Sequence, residues 1–320
     1  MSRVALVVNP ASRAAAAAVA AVRGACADAR LGAPLVVETT IEDPGPGQVR
    51  YALAQGALRV VVAGGDGTVR LIAGELAGVP EVVLGVIPVG TANLFARSAG
   101  LPVRDAAARD AAARLLAPAA EVAVTAPARA TDLGTARLSD AEGTRSEHPF
   151  LVLAGLGHDA ATLAAVRPRH KASVRWLAYF APGLRRLAHP HHLLRLTLDG
   201  RPVDAGPLWS LLAVNAARLP VGARVVPGAR LDDGVLHAVL VAPSGVRGWA
   251  HIAATGLGTV GRASTEETYP ADHPALRYRS AREVLVQAPG PVLAQVDGDV
   301  VGGIVEARMT LQPGAVRVAR

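Results

Sequence analysis

The chain has 320 residues, 51% of them hydrophobic and 3% aromatic, which predicts one large or two ordinary domains with a core of small aliphatic side chains. The single cysteine, Cys26, excludes an intramolecular disulfide and a cysteine metal cluster, and it suits a reducing cytoplasm. A formal net charge of +7 favours anionic partners, but there is no basic helix, zinc finger or aromatic–basic interleaving, so we expect no nucleic-acid partner. No stretch reaches roughly 18 apolar residues without charges or breakers, so we expect no membrane-spanning helix.

Apolar runs rich in β-branched residues alternate with helical segments in the first third of the chain. This alternation predicts a parallel sheet covered by helices on both faces, in which ligands gather at the carboxyl ends of the strands. The predicted strands are Val4–Val8, Leu35–Thr40, Arg59–Ala63 and Val82–Pro88. The predicted helices are Ala14–Arg30, Gln48–Gln55, Val69–Ala77, Leu94–Ala99 and Asp105–Leu116.

A glycine-rich turn, Gly64–Thr68, follows the third of these strands and precedes a helix. Glycines let the backbone approach a phosphate, and the N–H groups and dipole of a helix N-terminus favour negative charge. The turn therefore predicts an anion site, to which Asp66 adds a carboxylate and Thr68 a hydroxyl. A tight strand-to-helix turn without a ligand is the simpler alternative. The turn matches neither the GxGxxG nor the Walker pattern, so those two nucleotide-binding modes do not fit.

Short apolar runs dominate the chain from Glu121 onward and predict an antiparallel β-sandwich. Asp199-Gly200, between two of the runs, is a strong hairpin signal. The change of pattern predicts two domains, residues 1–121 and 122–320. Helices are predicted at Ala160–Val166, Ser173–Leu187 and Val246–Ala254. The predicted strands are Val122–Val124, Phe150–Ala154, Leu193–Leu198, Leu208–Asn215, Val235–Val241, Val284–Ala288 and Val292–Val296.

Six motifs follow one another along almost the whole chain, namely Asn9-Pro10, Gly64–Thr68, Pro88–Arg97, Gly155–Ala160, Pro227–Gly234 and Gln295–Asp299. In this order they resemble the diacylglycerol kinase catalytic-domain family of lipid kinases, which includes bacterial diacylglycerol kinases and sphingosine kinases. The Gly-Gly-Asp-Gly-Thr turn alone is shared with NAD kinases, whereas the Gly-Thr-Ala-Asn-Leu-Phe-Ala-Arg block is more specific. The resemblance implies a phosphofructokinase-like N-terminal α/β domain and a C-terminal antiparallel β-sandwich. It also implies ATP-dependent transfer of a phosphoryl group to a lipid hydroxyl, with Mg²⁺ as the metal.

The resemblance further implies which residues line the nucleotide. Thr40 would contact it from the end of the second strand, and Thr39 is nearly as good a candidate. Asn93 can bond either a phosphate or the start of its own helix, and both alternatives stay open. Asp66 is expected to be catalytic as well, because a carboxylate beside phosphates can hold Mg²⁺ or the nucleotide. The full set of expected nucleotide residues is Asn9, Thr40, Gly64, Gly65, Asp66, Gly67, Thr68, Arg70, Thr91 and Asn93.

Two acidic positions in the second half carry the remaining family roles. The family's structural magnesium corresponds to Asp233 with the backbone carbonyls of Arg230 and Val235. The family's proton acceptor falls on Asp299, after Asp297-Gly298, and the alternative is a plain two-residue hairpin turn. The family usually has Glu at this position, so Asp shortens the base by one methylene, or roughly 1–1.5 Å of reach.

Histidines suggest two further sites. His158-Asp159 invites a catalytic dyad, but neighbouring residues on a strand point to opposite faces, which argues against it. His170, His189, His191 and His192 suggest a metal site, yet their Pro- and Arg-rich setting favours a loop.

Three classes of function remain. The first is a cytoplasmic lipid kinase that binds peripherally to the membrane, with ATP and a lipid at the membrane surface as partners and a homodimer left open. The second is a kinase for a soluble acceptor, as NAD kinases are. The third is a non-catalytic regulator that binds nucleotide or lipid. The sequence does not identify the acceptor lipid.

Overall fold

The computed structural model describes residues 4–103, 112–164, 189–219, 222–258 and 269–320. Contacts divide the chain into two compact units, of which the first comprises residues 1–133 and 314–320 and the second residues 134–313. The predicted boundary after residue 121 falls inside a helix of the first unit. The predicted helix Ser173–Leu187 and the predicted site residue His170 lie outside the described residues.

A parallel sheet forms the centre of the first unit, built from β1 (Val4–Val8), β2 (Leu35–Glu38), β3 (Arg59–Gly64) and β4 (Val83–Pro88). The strand order is β2-β1-β3-β4, and Arg317 and Val318 near the end of the chain pair in parallel with β4. Every residue of β1 is buried, which explains why its sequence is continuously apolar rather than alternating. The predicted parallel sheet is confirmed.

Helices cover both faces of this sheet, namely α1 (Ala15–Asp28), α2 (Pro46–Ala54), α3 (Asp66–Leu76), α4 (Leu94–Ser98) and α5 (Ala112–Thr125). α1 and α5 pack together over the face that carries Leu6, whereas α2 packs on Ala5 of the opposite face and contacts α3. The predicted strand Val122–Val124 is wrong, because these residues form the last turn of α5, and Ala123 is buried against the sheet. A short apolar run does not by itself distinguish a strand from a buried helix.

The close approach of α5 to the sheet depends on a glycine in β4. A Cβ atom at Gly85 would lie only 2.4 Å from the carbonyl oxygen of Ala123. Next to this contact, the guanidinium of Arg59 donates to the carbonyl oxygens of Ala123 and Ala126, at 2.9 and 3.2 Å. Arg59 therefore satisfies carbonyl groups at the C-terminus of α5 and holds the helix to the sheet.

The second unit is antiparallel throughout its main sheet. It contains β5 (Ala128–Asp140, partly in the first unit), β6 (Arg145–Phe150), β7 (Leu153–Gly157), α6 (His158–Ala164), β8 (His192–Leu193), β9 (Arg195–Leu198), β10 (Arg201–Val203), β11 (Pro207–Leu208), β12 (Ser210–Val214), β13 (Leu236–Val241), α7 (Gly245–Leu257), β14 (Leu276–Ala281), β15 (Glu283–Val296) and β16 (Asp299–Ala319, also shared). The strand order is β14-β13-β12-β7-β15-β16, with β9 beside β15 and β10 beside β9. In the part of the chain that the structure describes, no helix is long and apolar enough to cross a membrane.

Some predicted elements of the second unit are confirmed and others are corrected. The Asp199-Gly200 hairpin joins β9 to β10 with φ angles of 48° and 76°, and the helix predicted at Val246–Ala254 is α7. Phe150–Ala154 is not one strand, because a bend at residues 151–152 separates β6 from β7. β5, β14 and most of β16 are absent from the prediction, because it relied on continuous apolar runs, whereas in these strands apolar residues alternate with charged or small ones.

Two more corrections concern strand lengths. The predicted strands Leu193–Leu198 and Leu208–Asn215 are each divided into two short strands, β8 with β9 and β11 with β12. Conversely, Val284–Ala288 and Val292–Val296 belong to the single strand β15, whose pairing with β16 shifts register between Gln287 and Val292. Apolar runs therefore locate these strands but do not reveal where the ladder is broken or continued.

Gly85→Ala should destabilise the first unit by about 1–3 kcal/mol, because the added methyl group overlaps the Ala123 carbonyl and α5 must move. The thermal unfolding midpoint, followed by circular dichroism, measures this effect. Gly24→Ala in α1 is the matched control, since no atom lies within 4 Å of a Cβ there and alanine favours a helix. An unchanged midpoint for Gly85→Ala would contradict the close approach of α5.

Candidate functional site

The four loops that follow β1 to β4 meet at one edge of the first unit's sheet. Val8 lies opposite both Glu38 and Ala63, and Gly64 lies opposite Pro88, so the parallel strands end at nearly the same level. The strand order reverses between β1 and β3, which is where doubly wound sheets bind their ligands. This register brings the predicted nucleotide residues of all four loops to the same edge.

The two glycine turns, after β3 and after β4, touch backbone to backbone. Val89 donates its N–H to the carbonyl oxygen of Gly64 at 3.1 Å. A Cβ atom at Gly90 would lie 2.6 Å from the Cα of Gly65 and 2.8 Å from the Oδ1 of Asn93. The packing of the two turns therefore already requires glycine at position 90, independently of any ligand.

Asp66 begins α3 and connects the first turn to α4. Its Oδ1 accepts a hydrogen bond from the backbone N–H of Phe95 at 3.0 Å. Burial raises the pKa of Asp66, while backbone N–H groups of Phe95, Leu94 and Asn93 act in the opposite direction. The carboxylate thus has a structural role in the loop, and its catalytic role stays a prediction.

Asn93 fixes the second turn through its own side chain. It adopts a left-handed conformation with φ of 49°, its Oδ1 accepts from the N–H of Gly90 and its Nδ2 donates to the Gly90 carbonyl, both at 2.9 Å. The side chain makes no capping hydrogen bond to α4, so the helix-cap alternative is wrong. A direct contact of this amide with phosphate stays a prediction.

The other predicted nucleotide residues differ in how accessible they are. Thr39 is buried and donates its N–H to the Val8 carbonyl, whereas Thr40 is exposed and its Oγ1 accepts from the N–H of Asp43 at 3.0 Å. Thr40 is thus the one of the two threonines that is accessible to a ligand. Thr91 and Asn9 are exposed, Gly67 and Thr68 are half-buried in the first turn of α3, and Arg70 on the same helix is 6% exposed.

In the second unit, the turn before Asp299 is a tight hairpin between β15 and β16. Asp297 and Gly298 have φ angles of 47° and 93°, and Val296 pairs with Asp299. The carboxylate of Asp297 is buried and accepts three backbone N–H bonds at 2.8, 3.0 and 2.9 Å, from residues 151, 152 and 153. The hairpin alternative therefore describes the backbone correctly. Asp299 itself is exposed at the end of the turn, and its role as proton acceptor stays a prediction.

Sequence reasoning missed a buried polar network beside this hairpin. His158 and Asp159 begin α6, so the strand argument against their pairing does not apply. Asp159 is bonded instead to the hydroxyl of Ser210 at 2.8 Å and to the amide of Gln295 at 3.3 Å. Burial raises the pKa of Asp159. The motifs around residues 155–160 and 295–299 contain Asp159 and Gln295, but only the fold brings these two residues together.

The predicted metal position, Asp233, is occupied by hydrogen-bond donors of the protein. Its Oδ2 accepts from the N–H of Arg230 at 2.8 Å and its Oδ1 from the N–H of Val235 at 2.9 Å. The imidazole Nε2 of His237 lies 3.3 Å from the same Oδ2, and its Nδ1 lies 2.7 Å from the hydroxyl of Tyr269. A divalent cation would have to compete with these donors, so this set of contacts does not by itself fit a metal site. The magnesium ligands stay a prediction.

Histidines of the second unit also lie together without forming a metal site. The ring of His158 lies 4.5 Å from that of His192, 5.3 Å from that of His189 and 5.4 Å from that of Trp209. Its Nε2 lies 2.9 Å from the carbonyl oxygen of Pro190. Across the described ranges, no group of three or more His, Cys, Asp or Glu side chains has a geometry that could hold a metal ion.

Comparison with known proteins identifies the family. Residues 3–135 match the model of the diacylglycerol kinase catalytic domain, and residues 152–320 match that of the YegS C-terminal NAD kinase beta sandwich-like domain. The chain belongs to the family of YegS-like and diacylglycerol kinase-type lipid kinases. Its two-part fold, an N-terminal α/β domain and a C-terminal β-rich domain, is the fold of this lipid kinase family.

Two lipid kinases of Pseudomonas are similar to this chain over most of its length. A YegS-like lipid kinase of Pseudomonas fluorescens is 32% identical over 278 residues, which are 84% of this chain and 80% of that protein. One of Pseudomonas aeruginosa, strain UCBPP-PA14, is 32% identical over 309 residues, 93% of this chain and 88% of that protein. The crystal structure of a diacylglycerol kinase of Bacillus anthracis is similar in fold, with a TM-score of 0.67, 18% identity and coverage of 99% and 96%.

In this lipid kinase, Asp297→Asn should lower the free energy of unfolding of the second unit by about 2–3 kcal/mol, because the amide group turns a donor toward a buried backbone N–H. Urea unfolding measures the change. Asp299→Asn is the matched control two residues away, and its exposed side chain should change stability by less than about 0.5 kcal/mol. Equal effects of the two substitutions would contradict the structural role of Asp297.

Proposed function

We propose that this lipid kinase transfers the γ-phosphoryl group of ATP to the hydroxyl of diacylglycerol or a related lipid. The observation that carries the proposal is the meeting of four loops, two of them glycine turns in backbone contact, at the carboxyl edge of a sheet in a chain of this family. A diacylglycerol kinase of Bacillus subtilis, 25% identical over 217 residues, 66% of this chain and 65% of that protein, supports the choice of acceptor.

The first unit would bind the nucleotide. The N-terminus of α3, with its backbone N–H groups and Thr68, presents donors that suit phosphate oxygens. The exposed side chains of Thr40, Thr91 and Asn9 stand on the neighbouring loops of the same edge. Mg²⁺ would enter with ATP and neutralise the charge that develops on the phosphoryl oxygens.

The second unit would supply the base. Asp299 is exposed beside a turn that is held in place by the hydrogen bonds of Asp297 and Gln295. A carboxylate in this place can accept the proton of a lipid hydroxyl as the hydroxyl attacks the phosphorus atom. A rigid support matters because the shorter side chain of Asp, compared with Glu, leaves less reach to correct a misplaced turn.

The acceptor lipid is expected at a membrane surface. The formal net charge of +7 favours anionic headgroups, which supports peripheral attraction to a bilayer. Homodimer formation stays a prediction to be tested by the oligomeric state in solution.

Asp299→Asn should lower kcat for lipid phosphorylation by about 10²–10⁴-fold, because the hydroxyl loses its proton acceptor. Transfer of the labelled γ-phosphate of ATP to diacylglycerol in mixed micelles with Mg²⁺ measures the rate. Asp299→Glu is the matched control and should retain transfer, and ATP affinity should be the same in all three proteins. Transfer to no lipid by the wild-type protein, or full activity of Asp299→Asn, would contradict the proposal. Transfer to NAD instead would assign a soluble acceptor.

Gly90→Ala should weaken ATP binding by about tenfold or more, because the added methyl group forces the two glycine turns apart and misplaces the N–H groups between them. Titration calorimetry with a non-hydrolysable ATP analogue measures the affinity. Gly32→Ala is the control in the same unit, since no atom lies within 4 Å of a Cβ there. Unchanged affinity in Gly90→Ala would remove the glycine turns from the nucleotide site.

A further inference from the structure

A second layer of side chains lies beneath the turn that carries Asp299. Gln295, on β15, is only 4% exposed. Its Oε1 accepts a hydrogen bond from the backbone N–H of Gly298 at 2.9 Å, and its Nε2 donates to the Oδ2 of Asp159 at 3.3 Å. A backbone N–H can only donate, so the contact with Gly298 decides which end of the amide is the oxygen. The other end must then be a donor, and it faces a carboxylate.

Asp159 is itself held in one orientation. Its Oδ1 accepts from the hydroxyl of Ser210 at 2.8 Å, and the same hydroxyl accepts from the Asp159 N–H at 2.9 Å. A Cβ atom at Gly155 would lie 2.5 Å from the Oδ2 of Asp159, so glycine at this position leaves the space that the carboxylate fills. The network therefore runs from Ser210 through Asp159 and Gln295 to Gly298, and each donor in it meets an acceptor.

The network holds the turn at the backbone N–H of Gly298. Asp297 fastens the hairpin to residues 151–153 through its carboxylate. Gly298 has φ of 93°, a conformation that other residues rarely adopt, and it is the residue directly before Asp299. Gln295 is the side chain that bonds this N–H, and so it limits the rotation of the backbone that aims Asp299.

We propose that Gln295, oriented by Asp159 and Ser210, is a positioning residue that sets the direction of the Asp299 carboxylate for proton transfer. The inference rests on the proposed function, in which Asp299 is the base. Gln295 does not touch the acceptor, so its effect belongs to kcat for the lipid reaction. The nucleotide-binding loops of the first unit are not part of the network, and KM for ATP is therefore unaffected.

A swap of donor and acceptor tests the proposal. Gln295→Glu keeps the acceptor for Gly298 but turns a second carboxylate toward Asp159, which should reduce kcat by about tenfold or more. The loss relative to wild type should grow as the pH rises, because two facing carboxylates tolerate each other only while they share a proton. Adding Asp159→Asn to this variant should return kcat to within about threefold of wild type, because the new amide can donate to the new carboxylate and still accept from Ser210.

Gln287→Glu on the same strand is the matched control. Gln287 also donates its Nε2 to a carboxylate, that of Glu306 at 2.9 Å, but this pair is exposed to solvent. The same chemical change should therefore leave kcat within about twofold of wild type. A loss in this control as large as that in Gln295→Glu would overturn the proposal.

Hydrogen exchange of the Gly298 amide gives a readout that does not need turnover. Exchange should be slow in wild type and in the double variant, and at least about tenfold faster in Gln295→Glu, because repulsion from Asp159 moves the new carboxylate away from the Gly298 N–H. Equal exchange and equal kcat in these proteins, or a double variant as slow in catalysis as Gln295→Glu, would overturn the positioning role. If exchange follows the expected pattern while wild-type protein transfers phosphate to no lipid, the network that holds the turn stands and the proposed function fails.

Discussion

The backbone contact between the two glycine turns is the constraint on which the first unit's site depends. β3 and β4 are neighbours in the sheet, and their loops would collide if the second turn carried a side chain at position 90, where a Cβ would lie 2.6 Å from the Cα of Gly65. Asp66 ties the first turn to α4 through the N–H of Phe95, and Asn93 holds the second turn through the N–H and the carbonyl of Gly90. A site built in this way is preorganised, because its donors are held before any ligand arrives.

Three aspartates of the family motifs have a structural role in their loops. Asp66, Asp233 and Asp297 each accept hydrogen bonds from the backbone, which shows that a motif carboxylate can serve the loop geometry. Asp299 differs from them, because it is exposed at the end of its turn. Three of these carboxylates therefore shape their loops, and the exposure of Asp299 is consistent with its proposed role as the base. The motif Gln295–Asp299 therefore contains two aspartates with different surroundings, Asp297 buried and Asp299 exposed.

Sequence patterns predicted the parallel sheet well and the antiparallel unit less well. β1, β3 and β4 are continuous apolar runs because helices cover both of their faces, and such runs are recognised directly. β5, β14 and most of β16 were missed because the prediction relied on continuous apolar runs, whereas these strands alternate apolar with charged or small residues. Val122–Val124 was wrongly predicted as a strand, because a buried helix turn and a short strand cannot be distinguished from three apolar residues.

The candidate site was also predicted only in part from the sequence. Order and spacing of the motifs identified the family and located the glycine turns, because backbone geometry at a tight turn demands specific residue types. The hydrogen-bond partners of the side chains could not be predicted from the sequence. Nothing in the sequence places Asp159 beside Ser210 and Gln295, or residues 151–153 around Asp297, because these contacts join strands far apart along the chain.

The sequence by itself thus determined the parallel α/β order and the positions of the turns, which follow from local residue chemistry, and its six motifs carried the resemblance to the family. Only the tertiary structure decided that Asn93 bonds Gly90 instead of capping α4, that Asp297 and Asp299 have different environments, and that Gln295 supports the turn between them. The physical reason is that hydrogen-bond partners depend on strand register and burial, and both are set by the packing of the whole unit.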